Sequence, residues 1–282
     1  METSSNKDRV AVITGAGGTL CSEMARALAK QGIKVALVGR DIEKLKIVEQ
    51  QIKDAGGIAI SVSADVSNLE AVENARNMIT KELGLCNILI NGAGGNQTLA
   101  VATINEFDAK ELDEPEEGFR GFFNLDMPLF QNVIEVNTMG TVIPCKVFGK
   151  DMAEQGGGNI VNIASLNSYR PLSRVAAYAM AKAGIASFTQ WLAAYLAPAN
   201  IRVNAIAPGF FLNDRSQKLL MTPDGGYTDR GAAIIRQTPM KHFGEAHELI
   251  GCLNWLIDDA GAGFVTGIVV PVDGGFLANV GI

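Results

Sequence analysis

Apolar runs suited to buried strands recur along the chain, and after most of them the apolar residues fall on one helical face. RVAVIT (9–14) precedes a helical stretch near 19–31, and KVALVG (34–39) precedes one in which Ile42, Leu45, Val48 and Ile52 share a face. GIAISVSAD (57–65) leads to a helix expected to open on Ser67 and Glu70 as a capping box, and NILIN (87–91) is a short strand, apolar between its ends. NIVNIAS (159–165), IRVNAIAP (201–208) and GIVVPVD (267–273) complete seven expected strands. Strands buried on both faces and separated by helices make a parallel sheet with right-handed crossovers, so the expectation is a doubly wound α/β fold. No low-complexity linker interrupts the chain, and residues 1–282 are read as a single domain.

Two segments depart from the repeat. Residues 95–131 form a long connection without clear periodicity, and EFDAKELDEPEEG within it carries seven acids against one lysine, which reads as a solvated face. Residues 209–243 form a second insertion beyond the carboxyl end of a strand, where doubly wound sheets bind their ligands, and a substrate lid is expected there.

Composition narrows the function. A chain that is 48% hydrophobic can bury a sizeable core, and 24 basic against 30 acidic residues give a net charge of -6, without the basic footprint of nucleic-acid binding. No apolar run approaches the roughly 18 residues of a membrane span, and METSSNKDR is a polar start, so a cytoplasmic protein with no membrane partner is expected. Cys21, Cys86, Cys145 and Cys252 show no paired spacing and read as buried thiols. His242 and His247 would lie on different faces of a helix, so no metal is expected.

The chemistry concentrates in YAMAK, where Tyr178 and Lys182 share one helical face. An ammonium beside a phenol favours the phenolate, and the Tyr178 pKa is expected to fall toward neutral. Ser165 ends the strand NIVNIAS, and Asn137 lies in IEVNTMG on the preceding helix. With TGAGGTLC (14–21), NGAG (91–94) and APG (207–209), the chain resembles the short-chain dehydrogenase/reductase family in motif order and spacing. That resemblance implies a Rossmann fold with a mainly parallel seven-stranded sheet flanked by helices on both faces. It makes Tyr178 the general acid/base, with Lys182 lowering its pKa and holding the ribose, Ser165 orienting the carbonyl and Asn137 supporting a proton relay through water.

By the same resemblance the cofactor would lie along Thr14, Gly15, Gly17, Gly18, Thr19 and Leu20, past Gly39 and Arg40, against Asp65 and Val66, and along Asn91, Gly92, Ala93 and Gly94. Tyr178, Lys182, Pro208 and Gly209 would complete its site. The family loop reads TGxxxGxG, so Thr19 and Cys21 stand at its second and third glycine places, with Gly17 and Gly18 compensating in part. Asn213 stands where the family often has threonine. An acid at the end of the second strand would select NAD(H), whereas Gly39 followed by Arg40 favours NADP(H), with NAD(H) the alternative and Asp41 a helix cap.

GAGGN, VFGKDM, FTQWLA, APGFFL and VVPVDGGF, together with a lengthened Gly94-to-Asn137 spacing, resemble the D-mannonate oxidoreductase branch of that family. The resemblance implies interconversion of D-fructuronate and D-mannonate in a homotetramer. Asn96, Asn167, Arg170 and Arg174 are the expected contacts to the sugar acid, with Gln97 a further amide and Arg215 a reserve cation. The alternatives are reduction of a keto-gluconate or an acyl thioester, or dinucleotide binding without turnover.

Overall fold

The computed structural model describes residues 6–113 and 118–279, apart from the side chains of residues 214 and 215. Its strands are β1 (Val10–Thr14), β2 (Lys34–Gly39), β3 (Ala59–Ser63), β4 (Ile88–Asn91), β5 (Gly158–Ile163), β6 (Ile201–Pro208) and β7 (Val269–Val272). They form one sheet in the order β3-β2-β1-β4-β5-β6-β7, with every neighbouring pair parallel. The chain winds outward from β1 to β3 and then crosses back to β4, so the order reverses between β1 and β4. A crevice opens at the carboxyl ends of strands that diverge in this way.

The helices are α1 (Thr19–Lys30), α2 (Ile42–Asp54), α3 (Leu69–Glu82), α4 (Met127–Glu154), α5 (Ala176–Leu196), α6 (Asp214–Leu220), α7 (Asp229–Gln237) and α8 (Ile250–Ile257). Alternation along the strands divides the core in two. Ala11 and Ile13 of β1 face Met24, Leu28, Leu45, Ile52 and Leu253 from α1, α2 and α8. Val10 and Val12 face the other way, onto Val72 and Ile79 of α3, Phe148 and Met152 of α4, and Leu192 of α5. The sheet is therefore covered on both sides, and none of the helices among the described residues is long and apolar enough to cross a membrane.

Local chemistry sets the helix starts. Asp41 caps α2 by accepting the Lys44 N–H at 3.2 Å. The capping box expected on Ser67 and Glu70 does not form. Asn68 caps α3 through the Ala71 N–H at 3.0 Å, while the N–H and hydroxyl of Ser67 are both held by Asp65, at 2.9 and 2.6 Å.

The two long connections also carry more structure than their composition suggested. Asp126 caps α4 through the Leu129 N–H at 2.8 Å, so the helix begins inside the segment expected to be irregular. The acidic run is not wholly a solvated face: Glu111 is buried and accepts the backbone N–H groups of Asp108 and Phe123 at 3.3 and 3.2 Å. Residues 114–117 of that run lie outside the described residues. The second connection holds α6 and α7. Burial pushes the thiols of Cys21, Cys86 and Cys145 far up, while Cys252 is part-exposed and also raised, so none is a ready nucleophile. Among the described residues no cluster of His, Cys, Asp and Glu suits a metal.

Candidate active site

A cleft of about 390 Å³ opens where β1, β2 and β4 end, within the size range of small-molecule sites. Gly15, Gly17, Gly18, Gly39, Arg40, Asp65, Val66, Gly92, Ala93 and Gly94 line it, and so does Lys44, on the first turn of α2, which sequence reasoning missed. Gly15 has φ +68, and a Cβ there would come within 2.8 Å of the Ala93 backbone, so a side chain would force the β1 and β4 loops apart. Thr19 is exposed and Leu20 half-buried on the first turn of α1. This glycine-walled trough at a helix N-terminus fits a pyrophosphate, which takes backbone N–H donors and tolerates no intruding Cβ.

Several residues expected to line the cofactor hold the walls of the trough instead. Thr14 is fully enclosed, and its hydroxyl accepts the Gly92 and Ala93 N–H groups at 3.1 and 3.2 Å, tying the β1 loop to the end of β4. Asn91 is buried and donates to Asn162 at 2.9 Å. Cys21, at the third glycine place, packs so close to Gly92 that a Cβ on Gly92 would stand 2.1 Å from its sulfur. Arg40 is exposed, and its charge helps lower the Asp65 pKa, after hydrogen bonds from Ser67. Gly209, after Pro208, is pinned by its N–H to the Val272 carbonyl at 2.9 Å. Asn213 exchanges hydrogen bonds with Ser216 at the start of α6, at 2.8 and 2.9 Å.

Beyond the trough, β5, α4 and α5 bring Asn137, Ser165, Tyr178 and Lys182 to one end of the sheet. The Asn137 side chain is buried and grips Gly95 in both directions, donating to its carbonyl at 2.8 Å and accepting its N–H at 3.2 Å. Lys182 Nζ donates to the Ile163 carbonyl at 2.7 Å, and burial lowers its pKa to about 8. The Tyr178 pKa lies above its ordinary value. Burial is the larger cause, and a hydrogen bond with Ser165 opposes it. The expected fall toward neutral is absent because desolvation of the phenolate outweighs the stabilisation it receives here.

The four expected substrate contacts separate. Asn167 is enclosed, with its amide committed to Ser165 and to the Leu172 N–H. Arg170 is exposed and reaches the Asn279 carbonyl at 3.3 Å. Asn96 accepts the N–H of exposed Gln97 at 3.0 Å. Arg174 has φ +76, uncommon for a residue with a Cβ, and its Nε donates to Asn105 at 2.7 Å, leaving the two terminal nitrogens outside that bond. Arg230, in the first turn of α7, was missed by sequence reasoning. Partial burial lowers its pKa, and the charge of Arg174 lowers it further, which places two like charges near each other. Only the folded chain joins these two arginines. The Arg215 side chain lies outside the described residues.

A family model described as short chain dehydrogenase matches residues 9–223. The chain belongs to that family and is an oxidoreductase whose cleft takes a nucleotide cofactor. It is 44% identical over 274 residues to UxuB, an uncharacterized oxidoreductase of Bacillus subtilis, covering 97% of this chain and 96% of that one. It is similar to a solved structure from Haemophilus influenzae, provisionally assigned as a D-mannonate oxidoreductase and holding NAD. The two share 42% identity and a TM-score of 0.92 over 98% of this chain and 97% of the other. A gluconate 5-dehydrogenase from Burkholderia cenocepacia, in complex with NADP and tartrate, aligns with a TM-score of 0.81 at 26% identity over 96% of each chain.

Proposed function

We propose that this chain interconverts a keto sugar acid and its alcohol, D-fructuronate and D-mannonate, using a nicotinamide dinucleotide. The observation that carries the reading is the arginine pair: Arg174, four residues before Tyr178, with Arg230 beside it, offers cationic donors to a substrate carboxylate. The assignment of the Haemophilus influenzae relative supports the same substrate.

Bound in the trough, the cofactor would supply a hydride donor in one direction and an acceptor in the other. The Tyr178 hydroxyl gives its proton to the carbonyl oxygen during reduction and takes it back during oxidation. Lys182, charged below about pH 8, favours the phenolate that this transfer leaves and holds the ribose. Ser165 donates to the reacting oxygen, and Asn137 fixes the Gly95 backbone beside a water relay. Around the adenosine ribose, Arg40 and Lys44 favour the 2'-phosphate of NADP(H). In this reading the protein is a cytoplasmic homotetramer. Along α5, exposed Trp191 and Tyr195 stack on half-buried Phe188, with centroids 6.3 Å apart for Phe188 and Trp191 and 5.1 Å apart for Trp191 and Tyr195, which supports burial of that face between copies.

The test is a panel of D-fructuronate, a keto-gluconate and an acyl thioester, each with NADH and NADPH, followed by the absorbance of the reduced cofactor. D-fructuronate with NADPH should give the highest kcat/KM. Tyr178→Phe should lower kcat at least about a hundredfold while still binding cofactor. A preference for the thioester, or full activity in Tyr178→Phe, overturns the reading.

A further inference from the structure

Ser165 stands just beyond the end of β5, and its hydroxyl oxygen is approached by two donors from a single residue. The backbone N–H of Asn167 lies 3.2 Å away and its side-chain Nδ2 lies 3.3 Å away. The orientation of that amide is fixed from its other end. Asn167 Oδ1 accepts the backbone N–H of Leu172 at 3.0 Å, and because a backbone N–H can only donate, the atom turned toward Ser165 must be the NH2. Both residues are buried, with Asn167 6% and Ser165 7% exposed, which limits replacement of either partner by water. A hydroxyl oxygen has two lone pairs and one hydrogen. With both lone pairs taken, Ser165 has only its O–H left to offer.

We propose that Asn167 is a positioning residue that makes Ser165 an obligate hydrogen-bond donor to the reacting oxygen, and that it does not itself touch substrate. This rests on the reading of Ser165 and Tyr178 as acting on a carbonyl. The carbonyl oxygen gathers negative charge during reduction, and a hydroxyl already turned to donate stabilises that charge without reorganising. A hydroxyl free to accept would spend part of its time facing the wrong way. The contact between Ser165 and Tyr178 agrees, because it favours the phenolate, which is an acceptor.

Asn167→Asp tests this almost isosterically. Aspartate keeps an acceptor for Leu172 and replaces the NH2 with an oxygen that only accepts when ionised, so Ser165 must turn its hydrogen inward. Protonation restores a donor, and burial lifts such a carboxyl above its ordinary value of about 4. The kcat of Asn167→Asp relative to the unsubstituted protein should be down about a hundredfold at mildly alkaline pH. It should recover as the pH falls, with KM for the cofactor unchanged. Asn167→Ala brings no titrating group, and its lowered relative kcat should not vary with pH. A relative kcat for Asn167→Asp that does not vary with pH overturns the proposal, as does full kcat in Asn167→Ala. If the aspartate variant does not fold, the alanine variant decides alone, lowered kcat at unchanged cofactor KM being the supporting result. Tyr178→Phe, assayed alongside, separates the two readings. Its inactivity together with a pH-independent ratio sinks only the role of Asn167, whereas its full activity sinks the chemistry itself.

Discussion

The Lys182 ammonium stands 5.5 Å from the centroid of the Tyr178 ring. Because burial lowers the pKa of Lys182 to about 8, the side chain is charged below that pH and neutral above it. The positive charge beside the Tyr178 ring therefore fades as pH rises. kcat/KM for the cofactor, which reports groups of the free enzyme, should decline above about pH 8. Lys182→Arg keeps its charge throughout, and should lose this alkaline limb even if its maximal rate is lower. The same limb in both proteins would assign it to another group.

Arg174 pays for its place with a left-handed backbone, φ +76. Arg174→Gly removes a penalty of about 1–2 kcal/mol and the guanidinium together, against a smaller cost of glycine freedom in the unfolded chain. The variant should keep or slightly raise its Tm while losing roughly 2 to 5 kcal/mol in kcat/KM on a carboxylate substrate. A neutral keto sugar should be spared. Equal losses on both substrates would make the residue structural.

Arg40 is exposed at the rim of the cleft and makes no ion pair at salt-bridge distance among the described residues. Removing it as Arg40→Ala should weaken NADPH by about 1.5–3 kcal/mol, roughly tenfold to a hundredfold in KM, and NADH far less. Titration of both cofactors against both proteins checks this. An unsubstituted protein that prefers NADH would refute it without any mutation.

Cys21 and Gly92 occupy one space between them, since a Cβ on Gly92 would lie 2.1 Å from the Cys21 sulfur. Gly92→Ala should therefore destabilise the fold by about 1–3 kcal/mol and weaken cofactor binding. Adding Cys21→Ala should restore most of both losses, and a double-mutant cycle of Tm and cofactor affinity measures the coupling. Additive effects would show that the loop yields in some other way.

The order of elements was legible because buried parallel strands are apolar on both faces, as Ile88–Ile90 and Val35–Val38 are here. Tyr178 and Lys182 were legible because their spacing alone puts them on one side of a helix. Burial was not legible, and burial determines both the raised Tyr178 pKa and the anchoring role of Glu111. Nor could spacing choose between Ser67 and Asn68 as the cap of α3, because the competing bond from Ser67 to Asp65 is formed in the turn before the helix. The nearness of Arg174 and Arg230 depends on how α7 packs, through Ile234, against Phe210 and Leu212 beyond β6, which no local pattern encodes.

Asn91 and Asn162 stand opposite each other in the pairing of β4 with β5, and their side chains share a buried hydrogen bond of 2.9 Å. Asn162 in turn donates to Thr189 on α5 at 2.9 Å. A slip of one residue between the strands would turn one asparagine to the opposite face and leave Asn91 beside Val161 or Ile163. Each stranded amide would then cost about 1–3 kcal/mol. The chain thus carries its own check on assembly: the turn bearing Ser165 and the turn bearing Gly92–Gly94 reach the same height only in the alignment that forms this bond.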